Sequence, residues 1–165
     1  MEIIVFDSST LILLAKVDIL RTVTEEFQAV IPERVKRECI RKDTFDAHLI
    51  SALIEGGGIN VIKATRKELI DRLSKDFKIH RGEAEALALA FEKNFTLAVD
   101  DLLTIKACKI LNHRFTTAIH FLINIAENGK IKKQTALVKL DKLSLYGRYN
   151  RKIIDDAIKR LKGGV

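Results

Sequence analysis

Two short apolar runs, each stopped by aspartate, limit what this chain can fold into more than any other feature. Glu2 to Phe6 carries Ile3, Ile4, Val5 and Phe6 in succession and is stopped by Asp7-Ser8-Ser9. Thr96 to Val99 is a run of the same kind, closed by Asp100-Asp101. Consecutive apolar, β-branched residues, without an alternation of polar positions, mark strands buried on both faces, the situation of a parallel sheet covered by helices. Ala29 to Ile31 and Ile59 to Ile62 read as two further strands, and Phe115 to Thr117 as a last, edge strand.

Helical patterns fill the intervals. Thr10 to Lys16 places Leu11, Leu14 and Ala15 at helical spacing, and Pro32 opens a second helix, where its missing N–H costs nothing. Phe45 to Glu55 is stopped by Gly56-Gly57-Gly58, Arg66 to Phe77 is amphipathic, and an alanine-rich helix runs from Gly82 to about Lys93. Leu102 to Leu111, Thr117 to Glu127, Lys132 to Leu143 and Asn150 to Leu161 complete the set. Strands alternating with helices over 165 residues, 47% of them hydrophobic, predict one α/β domain with a substantial core.

In such a sheet the functional groups collect at the carboxyl ends of the strands. Asp7, Asp100 and Asp101 all stand at strand ends. Carboxylates held together repel, and a cation that neutralises them lets the cluster persist. Mg²⁺ and Mn²⁺ prefer oxygen ligands, and no His/Cys cluster suggests zinc. The simpler role for each aspartate is to cap the helix that follows it. Glu38 lies on the helix opened by Pro32, near Arg34, Arg41 and Lys42, and surface ion pairing would account for it. Glu83 and Glu85 open the alanine-rich helix, where the helix dipole favours acids. Residues two apart on a helix point about 200° apart, so a central site would use one of them. Glu83 shares the more apolar stripe, with Leu87 and Ala90, and is the better candidate to point inward.

The net charge is +7, from 29 basic and 22 acidic residues, a balance that favours a polyanionic partner but also serves ordinary solubility. Arg34, Lys36, Arg37, Arg41 and Lys42 form the densest basic stretch near a candidate acid; a solvated helix face is the alternative. No tryptophan is present and aromatics are few, so extensive base stacking is not signalled. Cys39 and Cys108 lack CxxC spacing, which argues against a disulfide framework or zinc site and for a reducing cytoplasm. There is no signal-peptide pattern and no apolar run of membrane-spanning length. His48, His80, His113 and His120 have no ligand spacing and read as structural or surface residues.

Taken together, the stretches IIVFDSSTLILLAK, IPERVKREC and RGEAEALALAFEKNFTLAVDD, with the weaker FTTAIHFLINIAENGKI, resemble the PIN-domain family, especially VapC-type toxin ribonucleases and related stand-alone prokaryotic PIN proteins. The resemblance spans roughly residues 1 to 130. It implies a three-layer α/β/α sandwich with a mainly parallel sheet, an acidic pocket for Mg²⁺ or Mn²⁺, and cleavage of RNA. Its acids match Asp7, Glu38, Glu83 and Asp101, with Asp100 beside the last, and its small hydroxyl residue matches Ser8 or Ser9. The metal set it implies is Asp7, Glu83, Asp100 and Asp101, with Glu85 an alternative third acid and the fourth ambiguous between Asp100 and Asp101.

Residues 131–165 lie beyond the resemblance and are expected to form a helical extension on or beside a nuclease domain of residues 1–130. The resemblance also implies RNA as substrate, a small antitoxin as a possible partner, and a homodimer. Ile119, Leu122, Ile123, Leu137, Leu140, Ile154 and Ile158 would supply a dimer patch if exposed, and otherwise pack on the chain's own core. The competing expectations are a non-catalytic interaction protein of the same fold and a phosphatase with an aspartate nucleophile. The second wants a DxD arrangement, and Asp7 is followed by Ser8 and Ser9.

Overall fold

Strand pairing turns the apolar runs into a single sheet in a computed structural model that describes residues 1–163. The strands are β1 (Ile3–Phe6), β2 (Gln28–Pro32), β3 (Ile59–Ile62), β4 (Thr96–Ala98) and β5 (Phe115–Thr116). They are ordered β3-β2-β1-β4-β5, and every pairing is parallel. The sheet is thus wholly parallel, where the sequence suggested mainly so. Ile4, Val5 and Phe6 are all buried, as are Leu97 and Ala98. Successive strand residues point to opposite faces, so both faces are covered.

The covering helices are α1 (Ser8–Lys16), α2 (Leu20–Glu26), α3 (Glu33–Ile40), α4 (Phe45–Glu55), α5 (Lys67–Phe77), α6 (Arg81–Lys93), α7 (Leu102–Ile110), α8 (Ala118–Glu127), α9 (Lys133–Tyr146) and α10 (Arg151–Leu161). The result is an α/β/α sandwich. α6 packs on β1, β2 and β4. Its Ala84, Ala86, Ala88 and Ala90 are buried together with Leu87 and Leu89, and small side chains let this helix approach the sheet closely. From α8, Phe121 stacks on Phe6 at 5.3 Å and meets Phe27 edge-on at 5.4 Å. α2 has no counterpart in the sequence reading. Its seven residues LRTVTEE bury only Leu20 and Val23, too short a pattern to show helical periodicity.

The residues expected to form a dimer patch are spent inside the chain. Ile119, Leu122, Ile123 and Leu140 are buried, and Leu137, Ile154 and Ile158 are partly buried against the core. α9 and α10 pack on each other and on α8, and Leu140, Leu143, Ala157 and Leu161 belong to the same core as the strands. Lys139 Nζ donates to the carbonyls of Val17 (2.9 Å) and Asp18 (3.1 Å), tying α9 to the turn after α1. Residues 164 and 165, the tip of the expected extension, lie outside the described residues.

Leu122→Ala removes a fully buried side chain from α8 and should cost about 2–5 kcal/mol. Chemical denaturation should show that loss to be the same at low and high protein concentration. A residue buried between subunits would give a concentration-dependent midpoint instead.

Candidate active site

The order β3-β2-β1-β4-β5 reverses direction at β1, so β1 and β4 flank the topological switch point, where crevices open at the carboxyl edge of parallel sheets. Phe6 is level with Ala98, and the Asp7 N–H donates to the Ala98 carbonyl at 3.1 Å. Asp7 and the Asp100-Asp101 pair therefore leave adjacent strands side by side. Asp7 is only 1% exposed. It caps α1, with Oδ1 accepting from the Thr10 N–H and Oδ2 from the Ser9 hydroxyl, both at 2.9 Å. Burial pushes its carboxyl up to about 7, partly offset by the hydrogen bonds from Thr10 and Ser9, and nearby Asp100 adds to the rise.

The doubled aspartates divide their tasks. Asp101 caps α7, with Oδ2 accepting from the N–H (2.9 Å) and hydroxyl (2.8 Å) of Thr104. Asp100 is enclosed by donors. Its Oδ2 accepts from the Thr10 hydroxyl (2.8 Å) and the Ala118 N–H (3.1 Å), and its Oδ1 accepts from the Tyr149 hydroxyl. Burial raises its carboxyl above the usual range despite these bonds.

Glu38 and Glu83 arrive from helices. Among the described residues Glu38 forms no ion pair; its Oε2 accepts from the Ser8 hydroxyl at 2.8 Å. It rests against Gly82, where an added Cβ would overlap the whole carboxyl group, 2.8 Å from Cδ and 2.9 Å from Oε2. Glu83 Oε2 accepts from the His80 N–H at 2.8 Å at the start of α6. Partial burial raises its carboxyl, with Asp101 and Glu38 adding to the effect. Glu85 lines neither cleft described below and pairs with Arg34 at 3.5 Å.

The expected site acids come together at the carboxyl edge of the sheet, shared between two adjoining clefts. The two clefts share Ile12, Lys16 and Glu83, and the buried Asp7 lines neither. One cleft, of about 720 Å³, is lined by Ser8, Glu38 and Glu83 and by Lys16, Arg34, Arg41, Lys42 and Arg81. The other, of about 570 Å³, is lined by Ser9, Glu83, Asp100 and Asp101 and by Lys16, Tyr146 and Arg148. Of the basic residues singled out on α3 and just after it, Arg34, Arg41 and Lys42 face the first cleft, while Lys36 and Arg37 line neither. Lys16, Arg81, Thr10, Arg148 and Tyr149 escaped notice in the sequence, since none carries a local pattern apart from its helix or loop. His80, read as structural or surface, lines the first cleft and also begins α6.

Among the described residues, Asp7, Glu38, Glu83, Asp100 and Asp101 make no ion pair with lysine, arginine or histidine. In a chain of net charge +7, these acids stand at the sheet edge without a salt-bridge partner. Also among the described residues, no three Asp, Glu, His or Cys side chains are grouped so that they could hold a metal ion together. Mg²⁺ does not need such a group, because it keeps several waters and takes one or two carboxylates. An all-oxygen donor set without cationic partners fits such an ion.

A family model described as a PIN domain matches residues 3–163 and so runs through the C-terminal helices. No curated protein matches the chain. No helix among the described residues is long and apolar enough to cross a membrane.

The raised carboxyl of Asp7 has a sign that stability measurements can read. Between about pH 4, where an unfolded aspartate ionises, and about pH 7, the folded state holds a proton that the unfolded state has released. Stability from this group is complete below pH 4 and is lost as pH rises through 7, by about 1.4 kcal/mol per pH unit at most. Thermal melts in chelator should therefore show the protein less stable at pH 7.5 than at pH 5, and Asp7→Asn should shrink that difference. An equal difference in both proteins would contradict the assignment to Asp7.

Proposed function

The chain belongs to the PIN-domain family, whose fold is of the nuclease type, and from that premise we propose that it is a Mg²⁺- or Mn²⁺-dependent endoribonuclease. The observation that carries this proposal is the set of unpaired carboxylates at the β1/β4 switch point, bordered by a basic cleft. Carboxylates alone would repel a polyanion, and the cations lining the first cleft alone would merely bind one. Side by side, they suit a site that holds an RNA backbone and brings a divalent ion to it.

Asp7, Glu83 and Asp101 are the acids that would hold the ion, one or two of them directly and the rest through its waters, each retaining lone pairs beyond its capping bonds. Asp100 has spent most of its lone pairs on Thr10, Ala118 and Tyr149 and acts as an anchor next to them. A bound Mg²⁺ or Mn²⁺ supplies charge neutralisation, a grip on a phosphate oxygen and a lowered water pKa. Glu38, steadied by Ser8, orients the attacking water. Displacement in line at phosphorus breaks the bond to the 3′-oxygen, which takes a proton, and leaves a 5′-phosphate and a 3′-hydroxyl. Lys16, Arg41 and Lys42 hold flanking phosphates, with Arg34 and Arg81 joining them on leaving their carboxylate partners Glu85 and Asp71.

The fuller proposal includes a toxin role in a toxin–antitoxin pair, a small antitoxin that covers the acids, a homodimer and a cytoplasmic location. Leu102 (68% exposed), Leu103 and Tyr146 stand beside the second cleft and offer apolar surface to such a partner or to a second copy. The buried free thiols of Cys39 and Cys108 suit a reducing compartment. Light scattering alone and with a candidate antitoxin separates these assemblies from a monomer.

Purified protein should cleave RNA with Mg²⁺ or Mn²⁺ and stop when chelator is added. Asp7→Asn should lower the rate by at least about 100-fold, with the fold retained. RNA binding without cleavage under any divalent ion would favour the non-catalytic alternative. Gly82→Ala is a second probe. The extra methyl drives the Glu38 carboxyl from its seat, while helix propensity returns about 1 kcal/mol. Cleavage should fall with little change in melting temperature. A variant as active as wild type would remove Glu38 from the site.

A further inference from the structure

Between α9 and α10 the chain crosses the carboxyl edge of the sheet as a short strap, Gly147 to Asn150. It is pinned at several points. The Tyr149 hydroxyl donates to Asp100 Oδ1. Burial, reinforced by the Asp100 charge, pushes that phenol well above its ordinary range, so it keeps the proton it donates. The Tyr149 ring lies against Gly147, where an added Cβ would come within 2.9 Å of Cδ2. Asn150 caps α10 by accepting from the Ile153 N–H at 2.9 Å. At the other end, the Lys16 ammonium sits 5.3 Å from the centre of the Tyr146 ring.

The strap carries Tyr146, Gly147 and Arg148 to the wall of the cleft that also holds Ser9, Glu83, Asp100 and Asp101. Arg148 is exposed, and among the described residues it makes no ion pair, although carboxylates line the same cleft. Its near neighbour Arg151 is spent on Asp155 at 3.3 Å, one turn along α10. A guanidinium held beside acids, yet bonded to none, is available to an anionic ligand, and its planar fork matches a phosphate. Arg41, Lys42 and Arg81 line only the first cleft and Arg148 only the second, with Glu83 and Lys16 lining both, so a strand that threads both clefts meets its own cations in each.

We propose that Arg148 binds a phosphate of the RNA substrate in the second cleft, and that Tyr149 is a positioning residue that latches Arg148 there through Asp100. The proposal rests on the nuclease reading and adds the C-terminal helices to the substrate site, for a reason other than packing.

The test uses the full chain and a single-stranded RNA oligonucleotide of mixed sequence. Steady-state cleavage is measured with Mg²⁺, and affinity in chelator is followed against salt. Arg148→Ala should raise KM about tenfold, with a smaller effect on kcat, and lower the slope of log affinity against log salt by about 1. Arg148→Lys should recover the slope but only part of the KM, because a point charge lacks the fork. Tyr149→Phe removes only the hydroxyl and should reproduce the Arg148→Ala changes, and the double variant should add nothing further. Arg151→Ala should match wild type in every measurement. If wild type cleaves RNA while Arg148→Ala keeps both KM and salt slope, the phosphate contact is refuted. If Tyr149→Phe and Arg148→Ala combine additively, the latch is refuted. If wild type neither binds nor cleaves RNA, the nuclease reading fails and takes this proposal with it.

Discussion

Asp7 sits at the end of the central strand with almost no exposure, beside the Asp100 carboxylate and, among the described residues, without a cationic partner. Burying a charge in this way is costly, and the protein answers with local donors: the Thr10 N–H and Ser9 hydroxyl on Asp7, and the Thr10 hydroxyl, Ala118 N–H and Tyr149 hydroxyl on Asp100. Those donors come from the start of α1, the start of α8 and the strap before α10. The elements around the sheet edge are thus positioned by the need to satisfy two neighbouring acids. Hydrogen bonds alone leave the Asp7 carboxyl raised, so a residual demand for positive charge persists, which a divalent ion would meet.

Capping and ligation are not competing explanations here. Asp7 and Asp101 each cap a helix, the simpler role open to any aspartate after a strand. The caps hold both carboxylates at the carboxyl edge of the sheet, Asp101 lining the second cleft and Asp7 buried beside it, while each oxygen retains acceptor capacity. A helix start beside a parallel strand's carboxyl end thereby supplies both rigidity and a negative group in one residue. Asp100 shows the opposite case, since its oxygens are occupied by groups far apart in sequence, and it works as a brace.

The C-terminal helices illustrate how one set of apolar residues can be read in two ways. Ile119, Leu122 and Leu140 have the spacing of an amphipathic face, and spacing alone does not say whether the face meets another subunit or the chain's own sheet. Their burial beside the strand core answers that for the residues themselves, and it brings the strap with Arg148 and Tyr149 to the rim of the acids.

The strand runs, their parallel pairing and the acids at their ends were legible from sequence, because burial on both faces and termination by aspartate are local properties of Ile3 to Asp7 and Thr96 to Asp101. That Glu83 and Glu85 part company was also legible, since helical geometry separates neighbours two apart: Glu83 lines both clefts and Glu85 pairs with Arg34. The engagement of Glu38 by Ser8 and Gly82 was not, because it joins α3, α1 and α6 across the fold. Nor was the division of labour between Asp100 and Asp101: two adjacent identical residues differ only in what surrounds them. Lys16, Arg81, Arg148 and Tyr149 entered the site for the same reason. Local chemistry is written residue by residue, whereas which distant donor or cation meets a carboxylate is decided by strand order and helix packing, and these exist only once the chain has closed on itself.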